Sequence, residues 1–341
     1  MVEATLVARD ACAWPVLTRL ADDRLGIVYH NRPSHGFTEG DLAACVSEDE
    51  GAPWSELGLP APHLPGTSRT HIASGLDHAG RWVVLSTGHT LRDGAMVGIQ
   101  PVWYSTLRGD NARWQVDTAP RIDVPSSFCI PHGRVLALPD GRLAATVYRS
   151  WGQGQPSRTW MLFSTDGGAS WGDSSEIGNG DTNEAVVIDR DASGLLAVVR
   201  THRDHHLELF ASTDTGRTWM ARGPVTLPMQ HPGDLTDLGR DRVLLTYGIR
   251  NRGLMGLGAR LSKDGGATWG APAVIYQFGE ARDCGYPSTM MCRDGALLTA
   301  SYSDKSSVHD GYHLLTVRWR LEEFFDPKPL GSISDGRPLA V

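Results

Sequence analysis

Arginine, histidine, glutamate and tyrosine recur at the ends of short apolar segments in this 341-residue chain. Chance placement of polar groups at such ends would favour small turn formers such as Asp, Asn, Ser and Gly. Arginine grips a carboxylate through two parallel hydrogen bonds, so several arginines around one point indicate an anionic ligand. The residues with this placement are Arg32, His71, His132, Arg149, Glu184, Arg200, His231, Arg250 and Tyr286.

The first repeat that positions these residues has the form Ser-x-Asp-x-Gly-x-x-Trp, an Asp box. Its Asp can accept hydrogen bonds from nearby backbone N–H groups, its Gly tolerates a positive φ, and its Trp packs between neighbouring sheets. Copies that start roughly 50 residues apart have the spacing of propeller blades. The copies are residues 47–54, 164–171, 212–219 and 262–269, with a degenerate copy at 105–114.

The second repeat is an apolar strand, a tight polar turn and another apolar strand. Its turns centre near Asp23, Gly80, Gly141, Gly194, Arg240 and Gly295. Six copies predict an all-β fold, a six-bladed β-propeller with four antiparallel strands in each blade. We expect one domain over residues 1–325 and a C-terminal surface tail over 326–341. The first strand, ATLVAR, should pair with the last blade and close the propeller.

Propeller geometry explains why the polar residues at segment ends should meet. The innermost strand of each blade starts beside the central axis, and the second strand returns to the same face. Two positions in each blade therefore surround one pocket on the axis. The sequence predicts that this pocket binds an anion, most naturally a carboxylate.

Charge and hydropathy limit the partners that we expect. The formal net charge is −7 and the isoelectric point is near 6.0, which gives no sign of the broad basic surface that nucleic-acid binding needs. The first residues lack a basic leader before an apolar run, and no long apolar stretch follows. We expect no nucleic-acid or membrane partner and a cytoplasmic location, with secretion as the alternative if a signal peptide has been removed.

Cysteines and histidines give little sign of a metal site. The five cysteines are an odd number without CxxC spacing, so we expect free buried thiols rather than disulfides. His202, His205 and His206 lie in the segment THRDHH, where no strand or helix spacing makes them converge on an ion. We therefore expect neither a metal nor a cofactor.

The Asp boxes and three longer segments resemble a known family. The segments NEAVVIDRDASGLLAVVR, LLTYGIRNRGLMGLGARLSKDGGATW and GYPSTMMCRDGALLTASYS look like blades of the sialidase, or neuraminidase, superfamily. The resemblance covers nearly the whole chain. It implies that Tyr286 is the nucleophile, that Glu184 is its base, and that Arg200 and Arg250 hold the substrate carboxylate. A phenol needs such a base to attack at neutral pH, because its pKa is near 10.

Two positions depart from the family pattern. The resemblance places a first arginine in an Arg-Ile-Pro segment that opens blade 1, where this chain has Ala13-Trp14-Pro15. It places an acid/base aspartate in the following loop, which here reads HNRPSHGFTEGD. The residues of that loop that could replace the aspartate are His35, Glu39 and Asp41, and we take His35 as the catalytic candidate.

Three functions remain open at this stage. The first is an exo-acting glycoside hydrolase that removes a terminal sialic acid or another acidic sugar through Tyr286 and Glu184. The second is a polysaccharide lyase acting on uronic acids, which needs an arginine for the carboxylate and histidine or tyrosine to move protons. The third is a propeller that binds acidic glycans without cleaving them. Fold alone does not separate these functions.

Overall fold

The computed structural model describes residues 2–108, 113–149, 156–178 and 180–325. Regular structure in these residues is β-strand, apart from two short 3-10 helices, Asp191–Ser193 and Leu321–Glu323. The all-β prediction is therefore confirmed. The predicted tail, 326–341, lies outside the described residues. No helix in the described part of the chain is long and apolar enough to cross a membrane.

The strands form six successive blades, and the first strand of the chain, β1 (Glu3–Arg9), belongs to the last of them. Blade 1 consists of β2 (Val16–Arg19), β3 (Leu25–His30), β4 (Leu42–Ser47) and β5 (Ser55–Glu56). Blade 2 consists of β6 (Thr67–Leu76), β7 (Trp82–Arg92), the short β8 (Ala95–Ile99), β9 (Trp103–Arg108) and β10 (Arg113–Asp117). Blade 3 consists of the short β11 (Arg121–Ile122), β12 (Ile130–Ala137), β13 (Leu143–Arg149), β14 (Arg158–Ser164) and β15 (Ser170–Ile177).

The second half of the chain repeats this pattern. Blade 4 consists of β16 (Thr182–Asp189), β17 (Leu195–Thr201), β18 (Leu207–Ser212) and β19 (Met220–Pro224). Blade 5 consists of β20 (Gln230–Asp237), β21 (Val243–Asn251), β22 (Leu254–Ser262) and β23 (Ala273–Gly279). Blade 6 consists of β24 (Cys284–Met291), β25 (Leu297–Lys305), β26 (Asp310–Trp319) and β1.

The four main strands of each blade form an antiparallel meander, and the innermost strands are β2, β6, β12, β16, β20 and β24. The short β11 lies at the outer edge of blade 3, where it pairs in parallel with β15. Blades 1, 4, 5 and 6 are separate four-stranded sheets. Blades 2 and 3 are joined into one ten-stranded sheet by a short parallel pairing of β6 with β12. Strand β1 pairs with β26, from Glu3 opposite Arg318 to Arg9 opposite His313. The predicted closure of the propeller by its first strand is confirmed.

The turns between the two inner strands have the geometry that the sequence predicts. All six turn centres have a positive φ, from 54° at Arg240 to 89° at Gly141. Glycine adopts this left-handed conformation readily, and Asp and Asn tolerate it. Local chemistry therefore places these turns between the two inner strands of each blade.

Three Asp boxes form the same hydrogen-bonded turn. In the box at 164–171, Asp166 accepts hydrogen bonds from Ser170 N at 2.9 Å and Ser170 Oγ at 2.6 Å, and Ser164 Oγ accepts one from Gly168 N at 2.9 Å. The boxes at 212–219 and 262–269 repeat these bonds. Trp171 is fully buried among residues of blades 2 and 3, whereas Trp219 and Trp269 are half-buried.

The box at 47–54 departs from this pattern. Asp49 accepts none of these bonds in the described chain, so the turn role that we predicted for it is wrong. The neighbouring Glu50 instead accepts hydrogen bonds from Arg19 Nη2 at 2.8 Å and from Arg293 N at 2.9 Å. Because Arg293 lies between β24 and β25, this box joins blade 1 to blade 6.

The inner strands of all six blades surround a small cavity on the axis. The residues that line it include Val16, Ile72, Gly133, Val186, Gly233 and Pro287, one from each blade. Arg134 of blade 3 crosses beside this cavity, with Nη2 2.7 Å from Asp234 Oδ2 of blade 5 and 3.2 Å from the carbonyl oxygen of Thr289 in blade 6. This largely buried ion pair ties three blades together.

Candidate active site

The inner strands are irregular where they were predicted to face the pocket. In five blades the pairing of the first two strands shifts register, and a shift of this kind re-aims a side chain out of the regular alternation. The shifts lie between Arg69 and His71, His132 and Val135, Thr182 and Ala185, Gln230 and Gly233, and Gly285 and Ser288. In blade 1, Ala13 and Trp14 have positive φ angles of 69° and 57°.

Tyr286 and Glu184 form the centre of the site. The phenol of Tyr286 donates a hydrogen bond to Oε1 of Glu184, and Nη1 of Arg200 donates one to Oε2 at 2.7 Å. Tyr286 and Glu184 are buried, and Arg200 is largely so. The guanidinium carbon of Arg250 lies 5.7 Å from the centre of the Tyr286 ring. The fold thus brings together four of the predicted residues from blades 4, 5 and 6.

The charges of this group determine where its proton lies. Burial alone would raise the pKa of Glu184, but opposing effects, of which the charge of Arg200 is the largest and which include the hydrogen bonds from Tyr286 and Arg200, together hold that pKa below its usual range. Burial and the Glu184 carboxylate raise the pKa of the Tyr286 phenol well above its ordinary value, although both arginines oppose this. In the resting site, Glu184 is therefore ionised and Tyr286 carries the shared proton.

The backbone at Tyr286 is strained. Its φ of 52° lies in the left-handed region, which an aromatic residue rarely adopts. The preceding Gly285 also has a positive φ, and its carbonyl oxygen accepts a hydrogen bond from Ser301 Oγ at 2.7 Å. Strain of this kind persists only where the surrounding structure holds the residue in place, and it is concentrated at functional sites. Here it directs the Tyr286 side chain towards Glu184.

A second cluster surrounds Asp283, just before β24. Arg250 Nη2 lies 3.2 Å from Asp283 Oδ1, and Tyr302 donates to the same oxygen at 2.9 Å. His35 Nε2 lies 2.6 Å from Oδ2, which also accepts a hydrogen bond from Tyr312 at 3.0 Å. Burial opposes ionisation of Asp283, but the bond from His35 and the charge of Arg250 prevail and lower its pKa to about 2.

Cys12, His35 and Asp283 include the donor types that bind zinc. Their nearest donor atoms all lie within 4.8 Å of one another, the one such group in the described part of the chain. However, His35 and Asp283 bond directly to each other, and both oxygens of Asp283 already accept other hydrogen bonds. An ion would have to displace these contacts beside the positive charge of Arg250. The residues present fit a hydrogen-bonded cluster better than a metal site.

Trp14 follows Ala13, the residue that aligns with the first arginine of the family pattern. Its ring centre lies 5.9 Å from that of Tyr286, 5.6 Å from that of His35 and 4.7 Å from that of His71. His132 lies 5.8 Å from Tyr286 by the same measure. An aromatic surface therefore lines this side of the pocket, and Ala13 supplies no third cation there.

Several buried nitrogens around the pocket have no hydrogen-bond partner among the described residues. Burying such atoms without a partner costs free energy, so they are available to a ligand or to water. Burial also lowers the pKa of His71, His132 and His231, which keeps these rings uncharged at neutral pH. The unpaired atoms are Trp14 Nε1, His71 Nδ1, His132 Nδ1, Arg200 Nε and His231 Nδ1.

Three other predicted residues lie less centrally. Arg32 Nε donates to the carbonyl oxygen of Glu39 at 3.1 Å, and Arg149 Nη2 donates to that of Pro156 at 2.9 Å. The ring of His231 lies 5.3 Å from that of His205, whose Nδ1 is 3.4 Å from Arg200 Nη2. The structure brings His231 to the edge of the site. It does not bring Arg32 or Arg149 to Tyr286, and substrate binding by these two arginines stays a prediction.

The comparison with protein families matches residues 105–298, more than half of the chain, to the BNR repeat-like domain. The chain belongs to the BNR repeat-like domain family. This agrees with the Asp boxes and with the blades described above. No curated protein matches this BNR repeat-like chain significantly.

Solved structures with the same fold include several sialidases. A protein of unknown function from Dyadobacter fermentans superimposes with a TM-score of 0.78 at 18% identity, over 94% of this chain and 99% of that one. The Hadza microbial sialidase Hz136 superimposes with a TM-score of 0.74 at 18% identity, over 93% of this chain and 67% of that one. Trypanosoma rangeli sialidase, solved with 2,3-difluorosialic acid as a covalent intermediate, gives 0.67 at 14% identity, over 92% and 55%. At these identities, the TM-scores show a shared fold alone.

Sequence reasoning about this BNR repeat-like protein missed Asp283 and Tyr302. Both belong to blade 6, and Arg250 Nη2 lies 2.5 Å from the Tyr302 hydroxyl as well as 3.2 Å from Asp283. A signal existed for Asp283, since an acidic residue precedes the inner strand in the segment ARDCGYP. Tyr302 lies one position before the predicted end of its strand. Its orientation towards the pocket depends on packing that the sequence pattern does not report.

Proposed function

We propose that this protein is a retaining exo-glycosidase that removes a terminal acidic sugar, with Tyr286 as the nucleophile. The observation that carries the proposal is the hydrogen bond from Tyr286 to a carboxylate that Arg200 also contacts. A tyrosine nucleophile paired with a glutamate is a recognised exception to the two-carboxylate scheme of glycosidases. Because the phenol is neutral until it loses its proton, it does not repel an anionic substrate.

The reaction balances with groups that lie at the site. As Tyr286 Oη attacks the anomeric carbon, its proton moves to Glu184, and the glycosidic bond breaks with its electron pair on the leaving oxygen. A donor in the blade 1 loop, for which we nominate His35, protonates that oxygen. Water then attacks the same carbon and gives a proton to His35. The phenolate of Tyr286 leaves and regains its proton from Glu184, so the sugar is released with its configuration retained.

The arginines support binding of an acidic sugar. Each is paired with one carboxylate, Arg200 with Glu184 and Arg250 with Asp283, yet each retains a donor. Arg200 Nε is unpaired, and no described residue accepts a hydrogen bond from Arg250 Nη1. These donors would hold the substrate carboxylate, as the two matched arginines of sialidases are expected to do. With Ala13 at the position of the third arginine, we expect weaker binding of the carboxylate than three arginines give.

The solved relatives add support at the level of the fold. Trypanosoma rangeli sialidase forms a covalent intermediate with a difluorinated sialic acid. A chain with the same fold and a Tyr–Glu pair on its axis is therefore suited to the same kind of chemistry. The substrate of this chain and its catalytic residues are part of the proposal.

The test is product analysis with aryl glycosides of sialic acid and of hexuronic acids. We expect release of the free sugar from at least one of them, and loss of that release in Tyr286→Phe. Tyr276→Phe is the matched control, because it removes a hydroxyl on the outer strand of blade 5 that hydrogen-bonds to Ser307 Oγ, between β25 and β26, rather than to a residue of the Tyr286 cluster. An unsaturated uronate that absorbs in the ultraviolet would indicate a lyase and overturn the proposal. Binding of acidic sugars without turnover would indicate a glycan-binding propeller.

A further inference from the structure

His35 and Asp283 join two loops from opposite ends of the chain. His35 lies between β3 and β4 of blade 1, and Asp283 lies immediately before β24 of blade 6. Their side chains approach to 2.6 Å, between Nε2 and Oδ2, and each is only partly exposed. The contact therefore depends on closure of the propeller, and neither loop would form it alone.

Asp283 is held rigidly by its other partners. Arg250 and Tyr302 contact Oδ1, and Tyr312 donates to Oδ2 alongside His35. A carboxylate in this position can only accept a hydrogen bond from His35, so the proton of that bond resides on Nε2. Nδ1 of His35 is then the nitrogen that can gain and lose a proton. A fixed tautomer is what a histidine needs in order to transfer protons at one defined atom.

His35 borders the same pocket as the nucleophile. The Trp14 ring lies 5.6 Å from the His35 ring and 5.9 Å from the Tyr286 ring, measured between ring centres. Tyr302 likewise lies 5.7 Å from His35 and 6.0 Å from Tyr286. The rings of Trp14 and Tyr302 therefore each contact both the imidazole and the phenol, so His35 and Tyr286 share the same aromatic surroundings.

The other acidic residues of the blade 1 loop are engaged in local structure. Asp41 Oδ1 accepts hydrogen bonds from His63 N at 2.8 Å and from His63 Nδ1 at 2.7 Å, and Asp41 Oδ2 accepts one from Asn31 at 3.2 Å. Glu39 accepts one from Gly66 N at 2.5 Å. Both carboxylates shape the loop, whereas His35 faces the Tyr302 and Tyr312 rings beside the pocket.

We propose that His35 and Asp283 form the proton-transfer unit of this site, with His35 as the catalytic acid/base and Asp283 as the residue that positions it. This assignment rests on the proposed glycosidase function, and a histidine–carboxylate pair then performs the step for which the family pattern has a single aspartate. In the first step the proton on His35 Nδ1 passes to the leaving oxygen as the C–O bond breaks. In the second step the same nitrogen accepts a proton from the attacking water.

The test is the dependence of kcat/KM on the leaving group, over glycosides whose aglycones range from an acidic nitrophenol to methanol. General-acid catalysis contributes roughly 10²–10⁴-fold for poor leaving groups and little for good ones. We expect Asp283→Asn and His35→Gln each to lower kcat/KM about 10²-fold or more for the methyl glycoside and less than about 10-fold for the nitrophenyl glycoside. The double variant should be no worse than the single ones, because the pair acts as a unit.

Asp41→Asn is the matched control, since it breaks another histidine–carboxylate pair that is anchored to the same loop. It should leave the leaving-group dependence unchanged. Equal losses of kcat/KM in Asp283→Asn for every leaving group would show a structural role for Asp283 and overturn the inference. The inference would also fail if the predicted leaving-group dependence appeared in Asp41→Asn instead. Tyr286→Phe separates the two proposals, because it should abolish turnover of all the glycosides. A wild-type protein that cleaves none of them would overturn both.

Zinc alone provides a further check. Stoichiometric binding of added zinc that is lost in Cys12→Ser would show that His35 and Asp283 belong to a metal site. That result would overturn the assignment of a proton-transfer pair.

Discussion

The phenol of Tyr286 donates a hydrogen bond to Oε1 of Glu184, although the two residues are 102 positions apart in the chain. The bond joins the first strand of blade 6 to the first strand of blade 4. Both residues lie at register shifts of their strands, and Tyr286 also has a left-handed backbone. Two local irregularities thus create one contact, which places a base next to a potential nucleophile in a buried site.

The two residues should behave as one unit in kinetics. We expect Tyr286→Phe and Glu184→Gln each to lower kcat by at least about 10³-fold, since either change removes the means of forming the phenolate. The double variant should lose little more than either single variant. Affinity for a non-hydrolysed acidic sugar should change little in Tyr286→Phe, because the aromatic ring remains. Additive losses in the double-mutant cycle would mean that the two residues act in separate steps.

Arg250 should discriminate between acidic and neutral ligands. Loss of a charge-assisted pair in a partly dry pocket costs about 2–5 kcal/mol. Arg250→Ala should therefore weaken the binding of an acidic monosaccharide by that amount and the binding of a neutral one much less. Calorimetry on both ligands measures the difference. Arg149→Ala is the comparison, because that arginine contacts Pro156 rather than the Tyr286 cluster. If Arg149→Ala weakens the binding of the acidic sugar as strongly as Arg250→Ala does, the binding pocket extends to Arg149.

The buried histidines should make the fold sensitive to acid. Burial lowers the pKa of His30 and His89 to about 4, below the ordinary value near 6.5 that applies in the unfolded chain. Between these values the unfolded chain binds protons that the folded chain does not. Stability is therefore intact above about pH 6.5 and falls by up to about 1.4 kcal/mol per pH unit for each group as the pH decreases towards 4.

Urea denaturation between pH 7.5 and 5 checks this expectation. His89→Gln removes one of the groups, so its free energy of unfolding should fall less steeply with decreasing pH than that of the wild type. A free energy of unfolding that is constant from pH 7 to pH 5 would show that these imidazoles are not buried in their neutral form.

The Asp-box tryptophans should differ in their contribution to stability. Trp171 is fully buried between blades 2 and 3, so Trp171→Ala should cost about 3–5 kcal/mol. Trp269 has the same place in its repeat but is half-buried, and Trp269→Ala should cost clearly less. Equal losses in chemical denaturation would contradict this difference in burial.

Much of the fold could be predicted because its signals are local. A turn with Asp and Gly needs only a few neighbouring residues to form, and the spacing of such turns reports the blades. Glu184 and Tyr286 could be placed because the first residues of inner strands meet at the axis. Asp49 shows the limit of this reasoning, since its box keeps the hydrogen bond from Gly51 N to Ser47 Oγ but not the bonds to the Asp carboxylate, and Glu50 makes an inter-blade contact instead.

Long side chains were harder to place. The end of a strand determines where the backbone lies, but an arginine reaches several ångströms from it, and Arg32 and Arg149 bind loop carbonyl groups instead of entering the central cluster. The contact between His35 and Asp283 joins the loops of the first and last blades. No pattern within either segment reports it, because it forms only when the propeller closes.

Trapping of a covalent intermediate tests the central claim most directly. The protein would be incubated with a difluoro derivative of an acidic sugar that it hydrolyses, with one fluorine as the leaving group on the anomeric carbon and the other on the adjacent carbon, and the intact protein and its peptides would be analysed by mass spectrometry. We expect one sugar per chain, attached to Tyr286, and no adduct in Tyr286→Phe. An adduct on another residue, or turnover of the sugar without any covalent species in the wild type, would contradict the assignment of Tyr286 as the nucleophile.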